Sequence, residues 1–426
     1  VSRPAGVAQR EPRAARPPAR RAAVYILVLA ATALISVMVL GGMAVQRVQR
    51  RTAEVTADAA AARELARSAV DVGLELIRSD ANWRATRGEG TWLNGVRRNS
   101  GAFSLFASDP VDDDVANNPD DPLTLRGVGQ QGQAEQLIEV TLSAVYTPLL
   151  SIQGALHAGG ALSFAIGSSA TARGTFSTNL GATATLATVT APVEAATTVL
   201  GATFVSGARS AAGVRAMPDA GLVAEYVKLA TPIAYASLPF GTLRRVLLSP
   251  GNNPFGPTNP LGVYVIDCGG ADLSVQDCRI VGTLIVRNPG AGSGFTRSIN
   301  AEAAMPGMPL LLVQGNLQLN TSSGALSEAS ILQNLNPDHT PYRGQSNATS
   351  LDSFPSQLRG LVYATGNLNI QGSVNVQGAL LCAGDASIAG SITVTHDESL
   401  TSVPPAHFRT GPVMTVVPGT WKRVVN

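Results

Sequence analysis

Six aspartates fall within the fifteen residues "SDPVDDDVANNPDDP" at positions 108–122. Carboxylates crowded this way repel one another unless a cation or a proton neutralises them, and hard oxygen donors suit Ca²⁺. Asp112, Asp113, Asp114, Asp120 and Asp121 are therefore candidate calcium ligands. The run lacks the D-x-D-x-D-G order of an EF-hand. Asp and Pro also form turns, so a solvated turn between two strands is the simpler account.

Other chemistry-bearing residues are sparse. There are four histidines, His157, His339, His396 and His407, none with a partner evident in the sequence. A lone histidine is more often structural than catalytic. Three cysteines, Cys268, Cys278 and Cys382, make an odd count without a CxxC. Cys268 and Cys278 could pair outside the cell, but buried thiols on strands are the plainer reading. No cofactor is expected apart from calcium at the aspartate run. The net charge of +2 gives no reason to expect nucleic acid.

The elements that must position these residues begin with a membrane span. Residues 22–45, within "RRAAVYILVLAATALISVMVLGGMAVQRVQRR", carry no charge. A helix of that length crosses the ~30 Å hydrocarbon core, whereas a secretory signal core is only about 7–15 residues long. Arg3, Arg10, Arg13, Arg16, Arg20 and Arg21 precede it, against Glu11 alone. Positive flanks stay cytoplasmic, so the tail 1–21 is expected inside and disordered, with the rest of the chain outside. Helical character continues to about Arg78. Leu65, Ala66, Ala69, Val70, Gly73, Leu74 and Ile77 form one apolar face, and Asp80 and Asn82 end the helix. "GAFSLFASD", "PLTLRGVG" and the alternating "AEQLIEVTLSAV" then predict a small antiparallel sheet covering that face.

A basic leader, an apolar helix passing into the amphipathic "ARELARSAVDVGLELIRSDANW" (62–83), and then a small sheet resemble the type IV pilin and pseudopilin group. The chain is most similar to minor pilins of the PilX type. The resemblance covers residues 18–147. It implies prepilin-type cleavage at Ala22–Ala23 and association with other pilin-like subunits. Two positions depart from the family pattern. Ala22 stands where a Gly is usual, and Leu27 stands where the fifth mature residue is usually Glu. An unprocessed single-span anchor is the alternative.

A six-residue beat marks the C-terminal half. In "GNLNIQGSVNVQGALLCAGDASIAGSITVTH" (366–396), Gly366, Gly372, Gly378, Gly384 and Gly390 recur at constant spacing. Two and four residues after each come Leu368/Ile370, Val374/Val376, Leu380/Cys382, Ala386/Ile388 and Ile392/Val394. Short strands with alternate residues inward and glycine at the corners make a parallel β-helix, of about 18 residues per coil. Weaker echoes in 154–176, 263–288 and 311–320 extend it over 148–400. Val263/Val265, Leu273/Val275 and Leu284/Val286 are expected to alternate there. Segments 206–260, 289–309 and 321–358 read as excursions, the first with a short helix from Asp219 to about Leu229. This region resembles bactofilin-type polymer-forming domains and hexapeptide acyltransferases. The alternative is a sandwich of short strands.

The outward residues of the clean repeat are small and neutral: Asn, Gln, Ser and Thr, with Asp385 the one carboxylate. Acid–base work on a polysaccharide needs paired carboxylates or a base with cationic partners. The expected fold class is therefore α+β, a long transmembrane and amphipathic helix (22–80) with a small antiparallel head (81–147). An all-β parallel solenoid (148–400) and a C-terminal cap or tail (401–426) follow. The expected role is structural: an outward-facing, inner-membrane-anchored protein acting in surface or filament assembly or adhesion, without catalysis. Its expected partners are the membrane, itself or other pilin-like subunits, and a glycan. The second class kept open is a tethered carbohydrate-active β-helix enzyme.

Overall fold

The structure, a computed structural model, describes residues 19–201 and 204–424. Residues 1–18 of the expected basic tail lie outside the described residues. The described residues form two compact units, one from those up to 145 with those from 413 on, and the other from those between 146 and 412.

The first unit is built on α1, Ala19–Ser79. From Val24 to Ala57 every side chain is exposed, and most of the first half is apolar. Burial begins at Ala62, one turn before the face read from the sequence, and continues through its Ala66, Ala69 and Val70. Asp80 ends the helix and organises the turn, accepting the Asn82 amide at 2.8 Å and the Thr86 hydroxyl at 2.7 Å. A single helical turn, α2 (Trp83–Thr86), follows.

Four strands then form an antiparallel meander: β1 (Gly90–Arg98), β2 (Gly101–Ser108), β3 (Leu123–Gln131) and β4 (Ala134–Val145). Phe103, Leu105, Leu123, Leu125, Val140 and Leu142 supply its core against α1. Gly127 and Gly129 let the helix lie close to β3. A Cβ on Gly127 would overlap the Ala66 carbonyl oxygen, and one on Gly129 the Ala62 carbonyl oxygen. Small residues on both partners thus set the helix–sheet approach.

The chain's end departs from the expected cap or tail at 401–426. β5 (Val413–Val416) and β6 (Lys422–Val424) both pair antiparallel with β4, and Met414 enters the head core. The second unit is therefore an insertion in the chain between β4 and β5. The physical reason is β4's open edge, whose amides and carbonyls need partners. Lys422 also reaches Glu139 on β4 at 2.7 Å.

The second unit is a parallel solenoid, with three stacks of short strands around one apolar interior. In the clean repeat, all ten residues read as inward are buried. Its coils are not stacked in chain order. The chain enters mid-stack at Leu156–Ala158 and builds outward through Phe176–Thr178, Val193–Ala195 and Ala208–Arg209. It then reappears at the far end as Thr231–Pro232 and steps back through Val263–Asp267, Thr283–Arg287, Leu311–Gln314 and Gln357–Ala364 to Ser373–Cys382. The last coil closes the gap: Leu380, Leu381 and Cys382 pair in parallel with Leu156, His157 and Ala158.

The expected excursions shrink accordingly. Parts of 206–260 are rungs at the two ends of the stack, and Gly294–Glu302 is a full strand. The central part of 321–358 leaves the stack, as a small lobe around Leu326, Ile331, Leu335 and Phe354. The short helix is α3 (Leu222–Val227), inside the expected span. Val263 and Val265 face outward, not inward. They pack under α3 with Ile285, Leu312, Leu361, Tyr363 and Leu381, while Tyr264 and Ile266 face the interior. This face is covered on both sides, so its strand is apolar throughout and shows no alternation.

Candidate functional site

Two surfaces carry the polar chemistry, one in each unit. On the solenoid, side chains form columns across paired strands. Ser373, Ser391, Ser169 and Thr188 make one; Asn375, Thr393, Thr171 and Thr190 make the next. Neighbours in a column stand about 4.8 Å apart, the strand spacing. On another face Thr183, Ser163, Ser387, Asn369 and Gln318 align the same way. Their flanks Leu162/Phe164, Ala386/Ile388 and Leu368/Ile370 are buried, so alternation alone puts these polar residues outside. Within one column the Thr190 hydroxyl bonds that of Thr171 at 2.8 Å, and Gln318 donates to Gln371 beside its column at 2.8 Å. Such a surface can donate and accept hydrogen bonds at regular intervals. It does not titrate near neutrality.

His157 sits on the first coil, completely buried. Its Nδ1 lies 2.9 Å from the Ser177 hydroxyl, and its Nε2 is buried without a hydrogen-bond partner. Burial, then the nearby Arg215 charge, depress its pKa to about 4. A Ser–His pair closed off from solvent leaves no room for a substrate, and the neighbouring Arg215 is itself paired with Glu194 at 2.7 Å. His396 bonds the Ile152 carbonyl at 3.0 Å. Both act as structural hydrogen-bonding residues.

The three thiols are free and buried. Cys268 and Cys278 are not bridged. Burial pushes Cys278 and Cys382 up to about 12 and Cys268 up to about 11. A cleft of about 320 Å³ in the solenoid unit brings Glu302, Arg359 and Asp397 to one lining. Glu302 is held by Arg279 and Arg359, each at 3.3 Å, and Asp397 accepts the Ser399 amide at 2.9 Å. Both carboxylates therefore already serve the fold.

In the head, residues 109–122 connect β2 to β3 through a chain of Asx turns. Asp109, Asp112, Asp114 and Asn118 each accept the amide two residues on, at 2.8–3.1 Å. Asp113 is held at a φ of 61°, which Asp tolerates better than most residues. Of the five expected ligands, the structure gathers Asp112 and Asp121 and joins them to Asp109. Asp113, Asp114 and Asp120 lie outside that group. Asp109, outside the expected set, directly follows the end of β2. The local signal for it is its place two residues after the alternating Phe103, Leu105 and Ala107, which puts it in phase with buried positions.

At Ala22 and Ala23 the backbone is helical and part of α1.

No family model and no curated protein matches the chain. Among solved structures it is similar to the competence-associated pilin ComZ from Thermus thermophilus, at 12% identity and a TM-score of 0.31, covering 87% of this chain and 98% of that one. It is also similar to a DUF3494 domain of an ice-binding protein from Shewanella frigidimarina, at 14% identity and a TM-score of 0.27, covering 59% and 98%.

Proposed function

We propose that this chain is a membrane-anchored, pilin-like structural subunit that works by assembly and not by turnover. One observation carries the reading. The first half of α1 is apolar and bare from Val24 onward, while its second half is packed on a sheet from Ala62. Leu27, Leu29, Leu34, Ile35, Met38 and Leu40 are each more than half exposed. Water does not tolerate that much apolar helix, so lipid or the same helix of neighbouring subunits must cover it. The basic residues before the span support a cytoplasmic N-terminus with both compact units outside, at the inner membrane.

In this reading the head fixes the helix and the solenoid offers its polar columns to a partner. Regular hydroxyls and amides suit a hydroxylated polymer such as a glycan, or the side of another subunit. The small neutral character of the columns and the structural use of His157, Glu302 and Asp397 support a non-catalytic role over a carbohydrate-active enzyme.

The test is fractionation of cells expressing the full chain, with an alkaline wash of the membranes. The parent is expected to stay in the washed pellet, and Leu29→Arg with Leu34→Arg to release it. Recovery of the parent in the wash would refute anchoring.

A further inference from the structure

The aspartate loop of the head holds a feature that turn formation does not explain. Asp109, Asp112 and Asp121 each place a carboxylate oxygen within 4.8 Å of the other two. Asp109 is completely buried. Its Oδ1 accepts the Val111 amide at 2.8 Å, but its Oδ2 is buried with no hydrogen-bond partner. A carboxylate oxygen left bare away from water is costly unless a cation meets it.

The surroundings tighten the requirement. The Asp109 amide is bonded to a further carboxylate, Glu89, at 3.0 Å. Arg84 lies alongside, and its guanidinium donates to the carbonyls of Val115 at 2.8 Å and Asp121 at 2.6 Å. It thus clamps the loop backbone to α2. Three carboxylates thus stand close together, and one oxygen of the buried member is unmet.

We propose that Asp109, Asp112 and Asp121 bind a calcium ion that fixes the loop 109–122. The donors are all oxygen, which excludes a zinc-type nitrogen and sulfur site. They sit on an irregular loop with adaptable geometry, which Ca²⁺ accepts and Mg²⁺, demanding a near-ideal octahedron, does not. The ion supplies the positive charge that the buried Asp109 oxygen lacks. This inference does not depend on anchoring or assembly.

The test uses the full chain in detergent micelles, stripped with a chelator and then given CaCl₂ or MgCl₂. Calcium is expected to raise the unfolding temperature of the head and to slow amide exchange over 109–122 at least about tenfold at millimolar ion, magnesium far less. Asp109→Asn and Asp112→Asn should each abolish the response. Asp113→Asn should keep it, because Asp113 is exposed and Asn tolerates its positive φ. In chelator, Asp109→Asn should unfold no lower than the parent, since it removes an unmatched charge. Asp112 is exposed, so its variant reports on binding even if Asp109→Asn fails to fold. The proposal is overturned if calcium changes neither readout, if magnesium matches it, or if Asp113→Asn loses the response as fully as Asp112→Asn.

Discussion

The Asp385 carboxylate accepts a hydrogen bond from the Ala161 amide at 2.7 Å, across 224 positions of sequence. It is one step of a corner ladder. Asn316 accepts the Asn367 amide at 2.9 Å, and Asn367 accepts the Asp385 amide at 2.9 Å. At each step a side-chain oxygen of one coil holds the backbone of the next. The ladder crosses the seam where the last coil meets the first, so it ties together segments that chain order leaves far apart.

Removing a rung should loosen both neighbours. Asn367→Ala leaves the Asp385 amide without its acceptor and should cost about 1 kcal/mol. That corresponds to a fall of about 2–4 °C in the solenoid's unfolding temperature, read by calorimetry. Asn367→Asp, which keeps the acceptor, should recover most of it.

The head depends on backbone contact between α1 and β3. Gly129→Val should cost about 3 kcal/mol, because its side chain would push Ala62 and the whole helix off the strand. The control is Gly88→Ala, where nothing lies within 4 Å of an added Cβ. Near-ultraviolet circular dichroism of the Trp83–Trp92 pair, 5.8 Å apart, should change for the first and not the second.

Burial of neutral His157 makes solenoid stability depend on acid. Its folded pKa of about 4 lies below the unfolded value of 6.5. The unfolded state therefore binds the proton first. Its contribution is full above pH 6.5 and is lost as pH falls from 6.5 toward 4, by about 3 kcal/mol in all. Denaturant melts of His157→Gln across that window should be flatter than those of the parent.

Arg279 is buried and pins the lobe that leaves the stack. It donates to the carbonyls of Leu335 at 2.6 Å, Thr340 at 2.9 Å and Pro341 at 3.0 Å, and it pairs with Glu302. Arg279→Met leaves those carbonyls unmet and should cost about 3 kcal/mol. Trypsin should then cut at the exposed Arg343 several-fold faster, with the solenoid core still resistant.

Much of this architecture is legible in local pattern. Gly366 to Val394 repeats strictly because it lies mid-stack, where each strand must match a neighbour on both sides. The repeat does not say which neighbour, so the docking of Leu381 on His157 could not be read from it. Val263 and Val265 carry no readable phase because Tyr264 and Ile266, which alternate with them, are equally apolar, and a strand buried on both faces has no phase to read. "VMTV" and "KRV" at the C-terminus are too short to signal strands alone, and only the open edge of β4 recruits them. In the aspartate run, composition pointed to the loop, but burial chose Asp109 over Asp113, Asp114 and Asp120.

The mass of the mature N-terminal peptide, measured on the membrane fraction, tests the pilin-like reading most directly. A start at Ala23, with a methylated amine, is the result this account predicts. An intact arginine-rich tail ahead of Ala22 in the membrane-bound protein would contradict it and leave a permanent single-span anchor in its place.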